Sequence, residues 1–406
     1  MMNRRDLLKS LALTPALLPG EEKLPPIRPL TNGPKYHWFG YYDKLEFDPS
    51  SRYVLGMEVD FEGRTPNPDD SIRLGMVDLE NGDKWKDLGK SVAWSWQQGC
   101  MLQWLPGSRT EVIYNDRQGD RFVSHILNVR SGKRRTLAGP VYGVSPDATW
   151  AVHPDFRRIH DTRPGYGYAG IIDPNQNVPA PDDAGIWHLD FRTGKHELII
   201  PISKAASIPS PHADMTGAKH WFNHLLVSPE GQRFIFLHRW QKPGKSGFMT
   251  RMFTARPDGT DLYVVDPYGY TSHFIWRDPQ HILAWARHPS HGDKFYLYQD
   301  KSDKVEVVGP DVMTVNGHCT YLPGNRWVLN DTYPDRDRLQ HPYLYETKTG
   351  HRIALGHLRS GPEYNGEWRC DLHPRFSPDG KKVVIDSTHG GNGRQLYLID
   401  ISTIMG

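Results

Sequence analysis

The sequence is poor in features that would place it in several common classes. Its 406 residues hold three cysteines, Cys100, Cys319 and Cys370, too few for a disulfide framework. Basic and acidic residues nearly cancel, 49 against 47, for a formal charge of +2. With no basic run either, the balance argues against a nucleic-acid surface. No apolar stretch is long enough to cross a bilayer. No G-x-S-x-G elbow occurs, which removes the usual serine hydrolase arrangement. What is abundant is 38 Gly and 33 Pro, which break long helices, and 13 Trp with 19 Tyr. That mixture suits many short strands and turns, with flat rings left over for ligands such as sugars.

The chain begins MMNRRDLLKSLALTPALLPG. The pair Arg4 and Arg5, then Asp6, Leu7, Leu8 and Lys9, precedes a short apolar stretch broken by Pro15. The pattern resembles a twin-arginine export signal, so residues 1–22 are expected to be a signal and the protein to be exported or periplasmic. Residues 23–406 are expected to form the folded unit.

A strand, a tight turn and a second strand recur seven times: LEFDPSSRYVLGM, LQWLPGSRTEVIY, YGVSPDATWAV, LLVSPEGQRFIFL, FIWRDPQHILAWA, TYLPGNRWVLN and PRFSPDGKKVVID. Their prolines are Pro49, Pro106, Pro146, Pro229, Pro279, Pro323 and Pro378, with a longer gap before Pro229 that holds an insertion. Six of the units are followed by a second hairpin, whereas the seventh ends with the chain after RQLYLIDIS. Four strands per repeat, repeated seven times, predict an all-β fold: a seven-bladed β-propeller of four-stranded blades. The outer strand missing from the last blade is expected from the segment near Pro25 to Leu30, closing the ring.

In such a ring the first strand of each blade lines the central channel. His224, His318 and His373 stand five residues before their prolines, and His273 six before, on the consecutive blades four to seven. Equivalent starts of blades one and two carry His37 and Gln98. Imidazoles in register on neighbouring blades are expected to meet over the channel. Loops after the second strands add Arg117, Arg157, His238, Arg239 and His288 on the same face. The insertion, residues 158–185 with Tyr166, is expected to form a wall or lid over the channel mouth. Converging neutral imidazoles bind divalent metals, and arginine forks hold carboxylates. The cysteines at the channel-lining starts of blades two, six and seven are expected to be small buried packing residues.

The runs SHFIW, GHCTYLPG and HPRFSPDG in blades five to seven resemble the oligogalacturonate lyases. More loosely, they resemble propeller-type ulvan lyases and rhamnose-glucuronate lyases and rhamnosidases. The resemblance implies a divalent metal, Mn2+ or Ca2+, on His318 and His373, with His273 as the base. Where that family carries a glutamine and two histidines in the seventh blade, this sequence reads EWRCDLH, so Asp371 or Glu367 would supply an oxygen ligand. The activity implied is β-elimination on an anionic, uronic-acid-containing oligosaccharide. His224 or a tyrosine at the channel mouth would be the acid, and Arg239 with Arg157 would clamp the carboxylate. His37, Gln98, Arg117, His238, His288 and Tyr166 would line the substrate. A hydrolase acting on a rhamnose-glucuronate linkage, and a non-catalytic periplasmic binding propeller, are the alternatives.

Overall fold

The computed structural model describes residues 23–405, so the expected export signal lies outside the described residues. Seven four-stranded antiparallel sheets follow one another along the chain. The fourth blade is the most regular: Lys219–Val227, Phe234–Gln241, Met249–Ala255 and Tyr263–Asp266, paired in that order. The seventh is built from Arg375–Phe376, Lys382–Ser387 and Gln395–Asp400, completed by the N-terminal strand Ile27–Pro29. Ile27 lies opposite Ile399 and Pro29 opposite Tyr397, so the two ends of the folded chain share one sheet and close the ring as expected.

Local chemistry sets each blade's first turn. In SPDG, Ser377 Oγ donates to Asp379 at 2.5 Å and accepts the Lys382 N–H at 3.0 Å, while Gly380 takes φ 68°. Such turns cap one end of the channel. The opposite end receives the longer connections, including residues 155–184 in blade three and 331–342 in blade six. The insertion opens with a helix, Phe156–Thr162, capped by the Asp155 carboxylate. It then packs inward, burying Tyr166 and Tyr168. Between blades the sheets press apolar faces together, for example Phe222, Phe236 and Phe253 of blade four in one core with Val152, Ile186 and Leu189 of blade three. The cysteines are buried and unpaired, and burial raises their thiols, in keeping with a packing role.

Candidate active site at the hub

The floor of the site comes from a segment that leaves the repeat pattern. After the strand Tyr36–Trp38 the chain turns into the channel at Gly40, where φ is +104° and a Cβ would meet the Gln98 carbonyl carbon at 2.9 Å. Only glycine fits such a turn against another backbone. Asp386 fixes it by accepting from the N–H groups of Phe39 at 3.1 Å and Gly40 at 3.2 Å. Tyr41, Tyr42 and Asp43 are thereby delivered to the axis. Tyr42 is pinned there: its hydroxyl donates to the Phe274 carbonyl at 2.8 Å and accepts the Phe274 N–H at 3.0 Å. A cleft of about 350 Å3 enters from the opposite face and stops against Tyr42, Asp43, Lys44 and Glu46, so this segment plugs the channel.

Four imidazoles from four blades surround the plug. The rings of His273 and His318 are 4.1 Å apart and those of His318 and His373 4.2 Å apart. Tyr42 lies 5.6, 5.8, 5.4 and 6.4 Å from the rings of His224, His273, His318 and His373 respectively. His224 sits at a bulge with φ 49°, and His373 has φ 43°. These left-handed conformations swing both side chains away from regular strand alternation, at a cost of about 1–3 kcal/mol each.

Each imidazole has a different electrostatic setting. His273 Nδ1 is 3.0 Å from Asn316 Oδ1, and the Asn316 amide donates to Ser272, so Nδ1 carries the proton. Nε2 therefore presents a lone pair toward the Tyr333 hydroxyl at 3.5 Å. Burial, with His318 and His224 nearby, holds His273 well below the ordinary histidine range. Burial likewise lowers His224 to about 4, although Asp43 accepts from its Nε2 at 3.1 Å. His373 is depressed by burial and by His318. His318 is the exception. Burial opposes its charge, yet Asp331, within 3.0 Å of Nδ1 through both oxygens, outweighs that and raises it.

His318, Asp371 and His373 each offer a ligand atom within 4.8 Å of the other two, and all three are buried. Two imidazoles and a carboxylate form a mixed nitrogen and oxygen donor set suited to a divalent transition ion. The carboxylate behind His318 is the usual partner of a metal-bound histidine. Glu367 is elsewhere, half-buried and hydrogen-bonded to Thr65. Positive charge flanks the donors. Arg369 donates to Asp371 at 2.8 Å and to the Tyr166 hydroxyl at 2.5 Å. Arg239 is only 6% exposed, and its Nε and Nη1 lack acceptors, as do those of Arg163 from the insertion. Both guanidiniums lie over the Phe248 ring, at 4.8 and 4.7 Å. Burial and the neighbouring Arg163 lower Arg239 to about 9.

Of the residues singled out in the sequence, the hub brings together His224, His273, His318, His373, Asp371, Arg239 and Tyr166. Gln98 reaches its edge, donating to Tyr142 at 2.6 Å. The others stand apart. His37 is held between Gln395 and Glu58 at 2.9 and 3.1 Å. His238 points into blade four, between His220 and Arg251. Arg157 closes on Asp155 with a fork, at 3.0 and 2.6 Å, beside a separate cleft of about 280 Å3. Arg117 pairs with Asp69, and His288 packs edge-on against Tyr268. Sequence reasoning missed Tyr41, Tyr42, Asp43, Arg163, Tyr333 and Arg369. The glycine before YYD was the one local signal that the chain leaves the repeat there.

These features define a seven-bladed propeller whose ionisable groups converge over one end of a plugged channel. The fold is that of the oligogalacturonate lyases. The chain superposes on the enzyme from Vibrio parahaemolyticus with a TM-score of 0.64 at 14% identity, covering 94% of this chain and 96% of that one. It superposes on an oligogalacturonate lyase in complex with manganese with a TM-score of 0.65 at 14% identity, covering 94% of both. The propeller domain of the Trilobed protease from Pyrococcus furiosus is also similar, with a TM-score of 0.50 at 10% identity over 90% of this chain and 95% of that one. No family model and no curated protein matches the sequence.

Proposed function

We propose that the protein is a lyase that cleaves uronic-acid-containing oligosaccharides by β-elimination at the hub. The observation that carries this reading is the His273 Nε2 lone pair. It is buried at the hub, beside a three-donor metal set and a guanidinium without an acceptor. Elimination next to a uronate needs a base for the C5 proton, and neutral His273 supplies one. It also needs positive charge on the adjacent carboxylate, which the unpaired N–H groups of Arg239 supply by a fork. A divalent ion held by His318, Asp371 and His373 would add charge there and stabilise the enolate-like intermediate. Manganese suits the two imidazoles better than calcium, which prefers an all-oxygen shell. Arg157, engaged with Asp155, takes no part in the clamp. His224, bonded to Asp43 and stacked 4.0 Å from Phe274, is a packed side of the hub rather than the acid. Export through the twin-arginine route belongs to the same reading and rests on Arg4 and Arg5.

The test is metal analysis of the purified protein, then an absorbance screen on pectic, ulvan and rhamnose-capped glucuronate oligosaccharides. Elimination creates a double bond conjugated to the carboxylate and a new ultraviolet band. Cleavage without that band would make the protein a hydrolase, and binding without cleavage would make it a binding propeller.

A further inference from the structure

We propose that Tyr166 is the proton donor to the departing glycosidic oxygen, a role that rests on the elimination reading above. Tyr166 comes from the insertion and is buried in one cluster with Tyr41, Tyr42 and Ile159. Its ring is therefore held over the hub by packing. Its oxygen accepts from Arg369 Nη2 at 2.5 Å, and the Arg163 guanidinium lies 4.2 Å from its ring centre. Its own hydroxyl hydrogen has no acceptor among the described residues, so it is free for a ligand.

The charges facing Tyr166 come from the elements around it: Arg163 on the insertion, Arg369 and Asp371 on blade seven, Arg239 on blade four, His318 and Tyr333 on blade six and Tyr41 on the plug. Burial and Asp371 oppose ionisation, but Arg369 and Arg163 outweigh them and bring the phenol down to about 7. Tyr333, buried and beside Asp371, moves the opposite way. Two neighbouring phenols pushed apart in this manner take different proton-transfer roles, and the weakly held proton is the one that can be given up at neutral pH.

In the step, His273 Nε2 takes the C5 proton and the C5–H electron pair becomes the C4–C5 double bond. The C4–O bond breaks, the oxygen leaves with its pair, and the Tyr166 hydroxyl supplies the proton that neutralises it. An imidazolium and a phenolate result, and the proton returns from one to the other through solvent. Arg163 and Arg369 stabilise the phenolate in the meantime.

The experiment compares the full-length protein with Tyr166→Phe, which keeps the ring and its packing. Difference absorbance of the unliganded proteins should show a single tyrosine ionising near pH 7, missing from the variant. A wild-type protein without this step overturns the proposal. On an oligosaccharide the variant should lose about a hundredfold or more in kcat, with KM little changed. On a uronide whose leaving group is an acidic aryl oxide, needing no protonation, the loss should largely disappear. Equal loss on both substrates, or none on either, overturns the role while leaving the lyase reading intact. A wild-type protein inert on every uronide overturns both. Arg163→Gln removes a cation and raises the phenol. The alkaline fall in kcat/KM should then move to higher pH, and an unmoved limb counts against Tyr166 as the acid.

Discussion

Asp331 grips His318 twice, accepting its backbone N–H at 2.6 Å and facing its Nδ1 with both carboxylate oxygens at 3.0 Å. The imidazole is thereby held in the donor set that it forms with His373 and Asp371. Removing the charge while keeping the shape should loosen the donor set without unfolding the blade. Asp331→Asn is expected to weaken binding of Mn2+ by about 10- to 100-fold, the usual cost of losing such a partner. Titration calorimetry on the metal-free protein checks this, with the melting temperature as the control for folding.

His273 makes a separable prediction because it belongs to the hub but not to the donor set. His273→Ala should lower the rate of unsaturated product formation by about 10^2–10^4-fold. Affinity for Mn2+ should stay within a few-fold of wild type. Parallel kinetics and calorimetry read both, and undiminished elimination removes His273 from the base role.

Several buried imidazoles make the fold acid-labile. Burial lowers His153 to about 3 and both His220 and His224 to about 4, below the value near 6.5 that they regain on unfolding. The unfolded chain therefore binds protons first as pH falls. The stability contributed by these neutral rings is complete above pH 6.5 and is lost progressively toward pH 4. In that window each ring removes about 1.4 kcal/mol per pH unit. Melting temperatures recorded from pH 7.5 downward should fall with a slope corresponding to several protons, and a flat profile would contradict the neutral assignment.

The ring was legible because its signals are local. Each SPDG-like turn sits at a fixed place in a repeat, and a seventh unit one strand short calls for closure by the N-terminus. The four histidines were legible for the same reason, since register along equivalent strands places them at one height on the hub. Side-chain direction was harder to read. His238 and Arg239 are adjacent on the strand Phe234–Gln241, where successive residues face opposite ways, so only Arg239 reaches the site. Arg157 and Arg158 likewise diverge on their helix, one to Asp155 and the other into the insertion. The plug carrying Tyr41 and Tyr42 was hidden because it breaks the repeat, and Arg369, Tyr333 and Arg163 lie on connections whose course no periodicity fixes.

Arg158 supplies the last prediction, because the wall of the site depends on it. Its guanidinium is 1% exposed. It donates to the carbonyls of Asn175 at 2.6 Å, Val178 at 2.8 Å, Pro179 at 3.0 Å and His220 at 3.0 Å, and to Asp173 at 3.2 Å. One side chain thus satisfies the irregular backbone of the insertion and fastens it to blade four. Arg158→Met keeps the volume but strips the guanidinium donors from four carbonyls and a buried carboxylate, of which Asn175, Pro179 and Asp173 keep only a backbone N–H. A loss of about 3–5 kcal/mol is expected from breaking a buried pair in this way. Because four of the five acceptors lie in the insertion, the damage should begin there. Hydrogen exchange should rise first in residues 173–183, before the strands of blades five to seven are affected. Exchange unchanged in that segment would mean that the insertion is held by its buried tyrosines alone.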